Sequence, residues 1–212
     1  MATYFIKIIL ALCCVLMLTP AWARMCTYST WTWNVKLKKA VDYRTVRKPY
    51  RQLTANEMDK LSGCSVCRED QVKISLPTLK PFLVCQKMAG KVQSTLLNLL
   101  KQAQPINEVI GYRVGLTRGD VDADGNRTKF SNHSFGVALD INPKHNGLYT
   151  QCYRFGPACR LSRGGPWRPA QDPFSLSVTA PIVVQLKGIG LKWGGEIKGR
   201  QKDFMHFSLT GY

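Results

Sequence analysis

Cysteine placement constrains this chain more than any other feature. Of its eight cysteines, Cys13 and Cys14 lie in an N-terminal leader; Cys26, Cys64, Cys67, Cys85, Cys152 and Cys159 follow it. The leader has one positive charge at Lys7, an apolar run from Ile8 to Leu18, and small residues at Ala21 and Ala23. That is the pattern of a secretory signal, with cleavage expected after Ala23. The apolar run is too short for a membrane anchor, which needs about 20 residues. An exported protein is therefore expected, in the periplasm or secreted, with no membrane span once the leader is removed. An even set of cysteines in such a chain reads as disulfides. Cys152 and Cys159 are expected to pair, because they flank a short loop containing Gly156 and Pro157. Cys64-Ser65-Val66-Cys67 also fits a redox pair or half a zinc knuckle, but no thioredoxin-like βαβ pattern surrounds it and no second pair stands at knuckle spacing. Structural disulfides are the preferred reading.

The full sequence has 212 residues and a formal net charge of +17. That charge draws a protein to polyanions. Export favours anionic envelope polymers over nucleic acid, which ranks a distant third as a functional partner. Three segments are expected: residues 1–23 as signal peptide, 24–90 as a cysteine-containing N-terminal extension, and 91–212 as the functional domain. Trp31 to Val35 alternates like a strand. Thr54 with Glu57 three residues later signals a capped helical turn. Lys91 to Gln104 is the clearest helix, with Val92, Leu96, Leu99, Leu100 and Ala103 on one face, closed by Pro105. Glu108–Val114 and Val137–Ile141 read as strands, with a polar loop from Thr117 to Ser131 between them. A Gly/Pro/Arg-rich loop covers Asn142 to Asp172. Ser177 to Lys187 reads as a helix with Pro181 in its first turn. Ile189–Trp193 and Met205–Leu209 read as the last strands. Few strands, few helices and no βα alternation give the α+β class: a small antiparallel sheet with flanking helices carrying a metal site, plus a disulfide-tied extension.

Three histidines exist, His133, His145 and His206. His133 precedes Asp140 by seven residues, and Asp140 interrupts an otherwise apolar strand, where a carboxylate needs a partner. His206 follows Asp203 by three. Two imidazoles and a carboxylate form a zinc-type set, and three protein ligands leave a fourth position open, the catalytic arrangement. Asp203 fits a general base. His145, in a polar loop, is expected to be exposed, with a substrate contact as its candidate role. Asp120, Asp122 and Asp124 open like a calcium loop, but loop position 12 holds Ser131 where an EF-hand has Glu. Calcium there is a lesser alternative and would only stabilise the loop. H-E-x-x-H, G-x-S-x-G and phosphate-loop motifs are absent from the sequence.

Ser131-x-His133-x-x-Gly136-x-Ala138-x-Asp140, followed by Asp203-x-x-His206-Phe207, resembles the D-alanyl-D-alanine carboxypeptidase and L-alanyl-D-glutamate endopeptidase family of zinc peptidases. Vancomycin-resistance carboxypeptidases and phage endolysins belong to it. Gly111-Tyr112-Arg113, Asp140-Ile141-Asn142-Pro143 and Lys192-Trp193-Gly194-Gly195-Glu196 extend the resemblance from about Lys91 to Leu209. Asp203 stands where many relatives have Glu, as in the endolysin-like branch, and Ile110 replaces the usual Ser. The resemblance implies one zinc per chain on His133, Asp140 and His206, with Asp203 as base. It further implies that Arg113 grips a substrate carboxylate or oxyanion and that Ser131 helps position the substrate. The implied activity is hydrolysis of peptidoglycan stem peptides, as a D,D-carboxypeptidase or an L-Ala-D-Glu-type endopeptidase. A non-catalytic cell-wall-binding module on the same fold is the alternative.

Overall fold

Strand alternation near the start is the first pattern to appear in three dimensions. The structure, a computed structural model, describes residues 24–211; the expected signal peptide lies outside them. β1 (Met25–Asn34) alternates buried and open positions and pairs antiparallel with β2 (Lys39–Pro49). A 3-10 turn, Ala55–Glu57, follows, where Glu57 Oε2 accepts the Thr54 backbone N–H at 2.8 Å. β3 (Gln71–Ile74) and β4 (Phe82–Cys85) form a two-stranded ladder. α1 spans Gln86–Lys101. Its buried stripe is Ala89, Val92, Leu96 and Leu99. It begins earlier than its periodicity suggested because Gln86 follows β4 directly, and it ends before Ala103, whose φ is +53°.

β5 (Val109–Ile110) is much shorter than the expected strand. After it the chain turns onto β4, where Tyr112 N donates to Leu83 O at 2.7 Å. The expected polar loop from Thr117 to Ser131 is a hairpin, β6 (Leu116–Val121) and β7 (Arg127–Phe130). β6 is half-buried to exposed along its length, so no apolar alternation announced it. β8 (Ala138–Ile141) is wholly buried. The long loop after it contains a second hairpin, β9 (Leu148–Thr150) and β10 (Arg160–Arg163). α2 (Pro181–Gly188), β11 (Lys192–Trp193), β12 (Gln201–Asp203) and β13 (His206–Ser208) complete the chain.

The strands build an α+β fold of small sheets. One runs β2-β1-β6-β7, joining the N-terminal hairpin to the β6–β7 hairpin through a parallel bridge at Thr32 and Leu116. The central sheet, β11-β13-β8-β5, is antiparallel throughout, and β10-β9-β12 lies apart from it. The main core gathers Leu96 and Leu99 of α1, Ile182 and Leu186 of α2, and Ile141 and Phe207 of the central sheet. A second core forms around Cys26, Cys64, Cys67 and Cys85 with Phe130, Phe135 and Val137. Disulfides join Cys26 to Cys67 and Cys64 to Cys85, pairings the sequence left open, and Cys152 to Cys159, the one pairing expected from it. The two cysteines of Cys64-x-x-Cys67 thus take different partners, which removes both the redox and the knuckle readings. Among the described residues no helix is long and apolar enough to cross a membrane.

Candidate metal centre

The central sheet sets the site. In its register His206 of β13 faces Asp140 of β8, and Ile110 of β5 flanks Asp140 on the other side. His133 arrives from the 3-10 turn Asn132–Phe135, which precedes β8. That turn ends at Gly136, with φ +67°; a Cβ there would lie 2.5 Å from Cys85 N and 2.0 Å from Gln71 Oε1. Only glycine permits this bend against β4. Gly136 O accepts the Cys85 N–H at 2.9 Å, which ties the His133 turn to the residue bridged to Cys64.

The three side chains converge and all are buried. His133 Nε2 lies 3.1 Å from Asp140 Oδ1 and 3.2 Å from His206 Nδ1, and His206 Nδ1 lies 3.0 Å from Asp140 Oδ1. These separations approach the edge of a tetrahedron with ligands about 2.0–2.1 Å from its centre. The donor chemistry also fits a cation. His133 Nδ1 stands 2.8 Å from Gly111 O, a bond only its N–H can make, which leaves Nε2 as an acceptor in the neutral ring. Burial holds the His133 pKa below its ordinary value despite the attraction of Asp140. Burial opposes ionisation of Asp140 as well, but His133 and His206 outweigh it and hold the carboxyl well below the usual carboxylate range. A buried carboxylate and an imidazole lone pair thus share one point with a second imidazole nitrogen, a set that could hold a metal ion.

Two further groups face this centre. Arg113 Nη2 donates to Asp140 Oδ2 at 3.1 Å, so Arg113 orients a candidate ligand as well as lining the cleft. Asp203, in β12, has an Oδ1 that is buried with no hydrogen-bond partner among the described residues. Burial pushes its pKa up to about 7, with His206 opposing and the Asp140 charge adding to the rise. Lys192-Trp193-Gly194-Gly195-Glu196 holds the Asp203 segment in place. Trp193 Nε1 donates to Phe204 O at 2.8 Å, and a Cβ at Gly194 would lie 2.3 Å from Asp203 O. Ser131 lines the same cleft, its Oγ 3.2 Å from that of Ser134.

The cleft has a volume of about 700 Å³ and contains all six expected site residues: Arg113, Ser131, His133, Asp140, Asp203 and His206. His145 is not among its lining residues. It is half-buried, bonds Asp172 Oδ2 through Nδ1 at 2.7 Å and packs on Phe174, so the expectation of an exposed substrate contact gives way to a loop-anchoring role. Asp120, Asp122 and Asp124 form no metal-holding group among the described residues. Asp122 Oδ1 instead accepts the backbone N–H groups of Asp124 and Asn126 and closes the β6–β7 turn. Among the cleft residues that the sequence did not reveal are Trp33 of β1 and Arg163 of β10. They lie 130 positions apart, and no local motif connects them.

A fold of small sheets with a buried His/Asp/His centre open to a cleft defines a candidate metallohydrolase. Residues 124–209 match the family model described as D-alanyl-D-alanine carboxypeptidase, and that match supports placing the chain in the zinc-peptidase family its motifs resemble. The matched segment contains His133, Asp140, Asp203 and His206. Searches of curated proteins and of solved structures found no match.

Proposed function

We propose that the protein is an exported zinc peptidase that hydrolyses peptidoglycan stem peptides, as a D,D-carboxypeptidase or an L-Ala-D-Glu-type endopeptidase. The observation that carries this reading is the convergence of His133 Nε2, Asp140 Oδ1 and His206 Nδ1 beside the buried Asp203 carboxylate. Zinc held there would supply a water of lowered pKa and polarise the scissile carbonyl. The remaining roles belong to the chain. Asp203 takes the attacking water's proton on Oδ1 and returns it to the leaving amine. Burial, which favours the protonated form of Asp203 in the metal-free chain, suits it to hold that proton between the two transfers. Arg113, anchored on Asp140, offers its open edge to a substrate carboxylate or to the developing oxyanion. Ser131, which lines the cleft, helps to position the peptide.

Three disulfides suit an oxidising compartment. The net charge of +17 and exposed Arg44 and Arg47 on edge strand β2 suit adhesion to anionic envelope polymers. The test is incubation of the disulfide-intact protein with purified peptidoglycan and synthetic stem peptides, with and without a chelator, and product identification by mass spectrometry. Chelator-sensitive cleavage is expected, and product masses name the bond. Retention on peptidoglycan with no turnover of any peptide would instead support a wall-binding module.

A further inference from the structure

The cleft has a second cationic wall. Arg163, the last residue of β10, places its guanidinium carbon 4.7 Å from the ring centroid of Trp33 in β1. Both residues line the cavity that holds His133, Asp140 and His206. Stacking on an indole face fixes a guanidinium while leaving its N–H edge free. Arg163 makes no hydrogen bond or ion pair with another described side chain, although Arg113, Asp140 and Asp203 are near enough to act on it electrostatically. Arg113, by contrast, commits one Nη to Asp140 and has only its remaining edge for substrate. Partial desolvation, followed by the Arg113 charge, lowers the Arg163 pKa, which agrees with its place at a crowded cleft mouth.

We propose that Arg163, braced by Trp33, is a specificity-determining residue that binds a carboxylate of the peptide substrate other than the group facing Arg113. Its preferred substrates are therefore acidic peptides with a free carboxylate beside the scissile segment. Trp33 lies outside the segment matched by the family model, so the N-terminal hairpin completes the substrate cleft. This deepens the peptidase reading and rests on it for the identity of the ligand as substrate.

The probe is a pair of peptides with the same C-terminus, so that the group facing Arg113 is unchanged, one with a free side-chain carboxylate next to the scissile bond and one with the carboxamide at that side chain. Binding is measured by calorimetry on the metal-free, disulfide-intact protein, and kcat/KM on the zinc-loaded protein. A charge-assisted bidentate contact predicts about a tenfold or greater preference for the acid in the parent protein. In R163Q that ratio should fall to about one, with R163K and Trp33→Leu between the two. Retention of the parent ratio by a folded R163Q protein, or no preference in the parent, would overturn the proposal. An acid preference in binding that depends on Arg163, without cleavage of either peptide, would uphold the anion site and overturn the peptidase reading.

Discussion

His206 sits directly across the β13–β8 pairing from Asp140, with Nδ1 3.0 Å from Oδ1. Strand register, rather than loop conformation, therefore sets two of the three candidate ligands. Asp140→Asn preserves the side-chain shape and removes the charge. The variant should keep its near-UV circular dichroism and bind zinc at least about 100-fold more weakly, since loss of an outer partner alone costs 10–100-fold. Competition against a chromophoric chelator measures it.

Asp203 supplies the sharpest pH dependence. Its carboxyl has a pKa of about 7 in the folded chain against 3.8 ordinarily, so the metal-free folded state binds the extra proton between those values. The stability this group contributes is fully present below about pH 3.8 and is lost as pH rises through about 7. Urea titrations of the metal-free protein and of Asp203→Asn should differ by that slope, the parent losing stability relative to the variant between about pH 3.8 and 7. In the zinc-loaded enzyme, Asp203→Asn should lower kcat by about 10²–10⁴ while zinc content is unchanged.

Glu57 has the opposite sign. Burial resists its ionisation, but hydrogen bonds from Lys48, Tyr28 and Thr54 prevail and lower its pKa to about 2. Its contribution is present above about pH 4.5 and disappears as pH falls toward 2. Glu57→Gln should cost about 1.5–3 kcal/mol at neutral pH and flatten the acid limb of stability, read by denaturant melts at several pH values.

The Cys64–Cys85 disulfide closes a separation of 21 residues beside the His133 turn. Paired replacement by serine should cost about 2–4 kcal/mol. Because Cys85 N also bonds Gly136 O, zinc affinity should fall with stability. Unchanged zinc affinity in a destabilised variant would show the bridge to be remote from the site.

Legibility of the sequence followed contact range. His133, Gly136 and Asp140 lie within one turn and strand, and Asp203 and His206 within another, so local spacing exposed all of them. The Cys152–Cys159 loop was equally local. Cys26–Cys67, Cys64–Cys85 and Trp33–Arg163 depend on how distant segments meet, and spacing carries no trace of that. The β6–β7 hairpin escaped because its strands are polar and open, and β12 because three half-buried residues make no pattern. His145 lies in a polar stretch that reads as surface, and its partners Asp172 and Phe174 are 27 and 29 positions away, beyond the reach of local spacing.

Metal analysis tests the central claim most directly. Zinc per chain would be measured by mass spectrometry on the disulfide-intact parent and on a folded His206→Ala protein after dialysis against trace zinc. One zinc per parent chain and almost none in the variant is the expected result. A parent without zinc, or a variant that retains it fully, would contradict the assignment of His133, Asp140 and His206 as the metal centre.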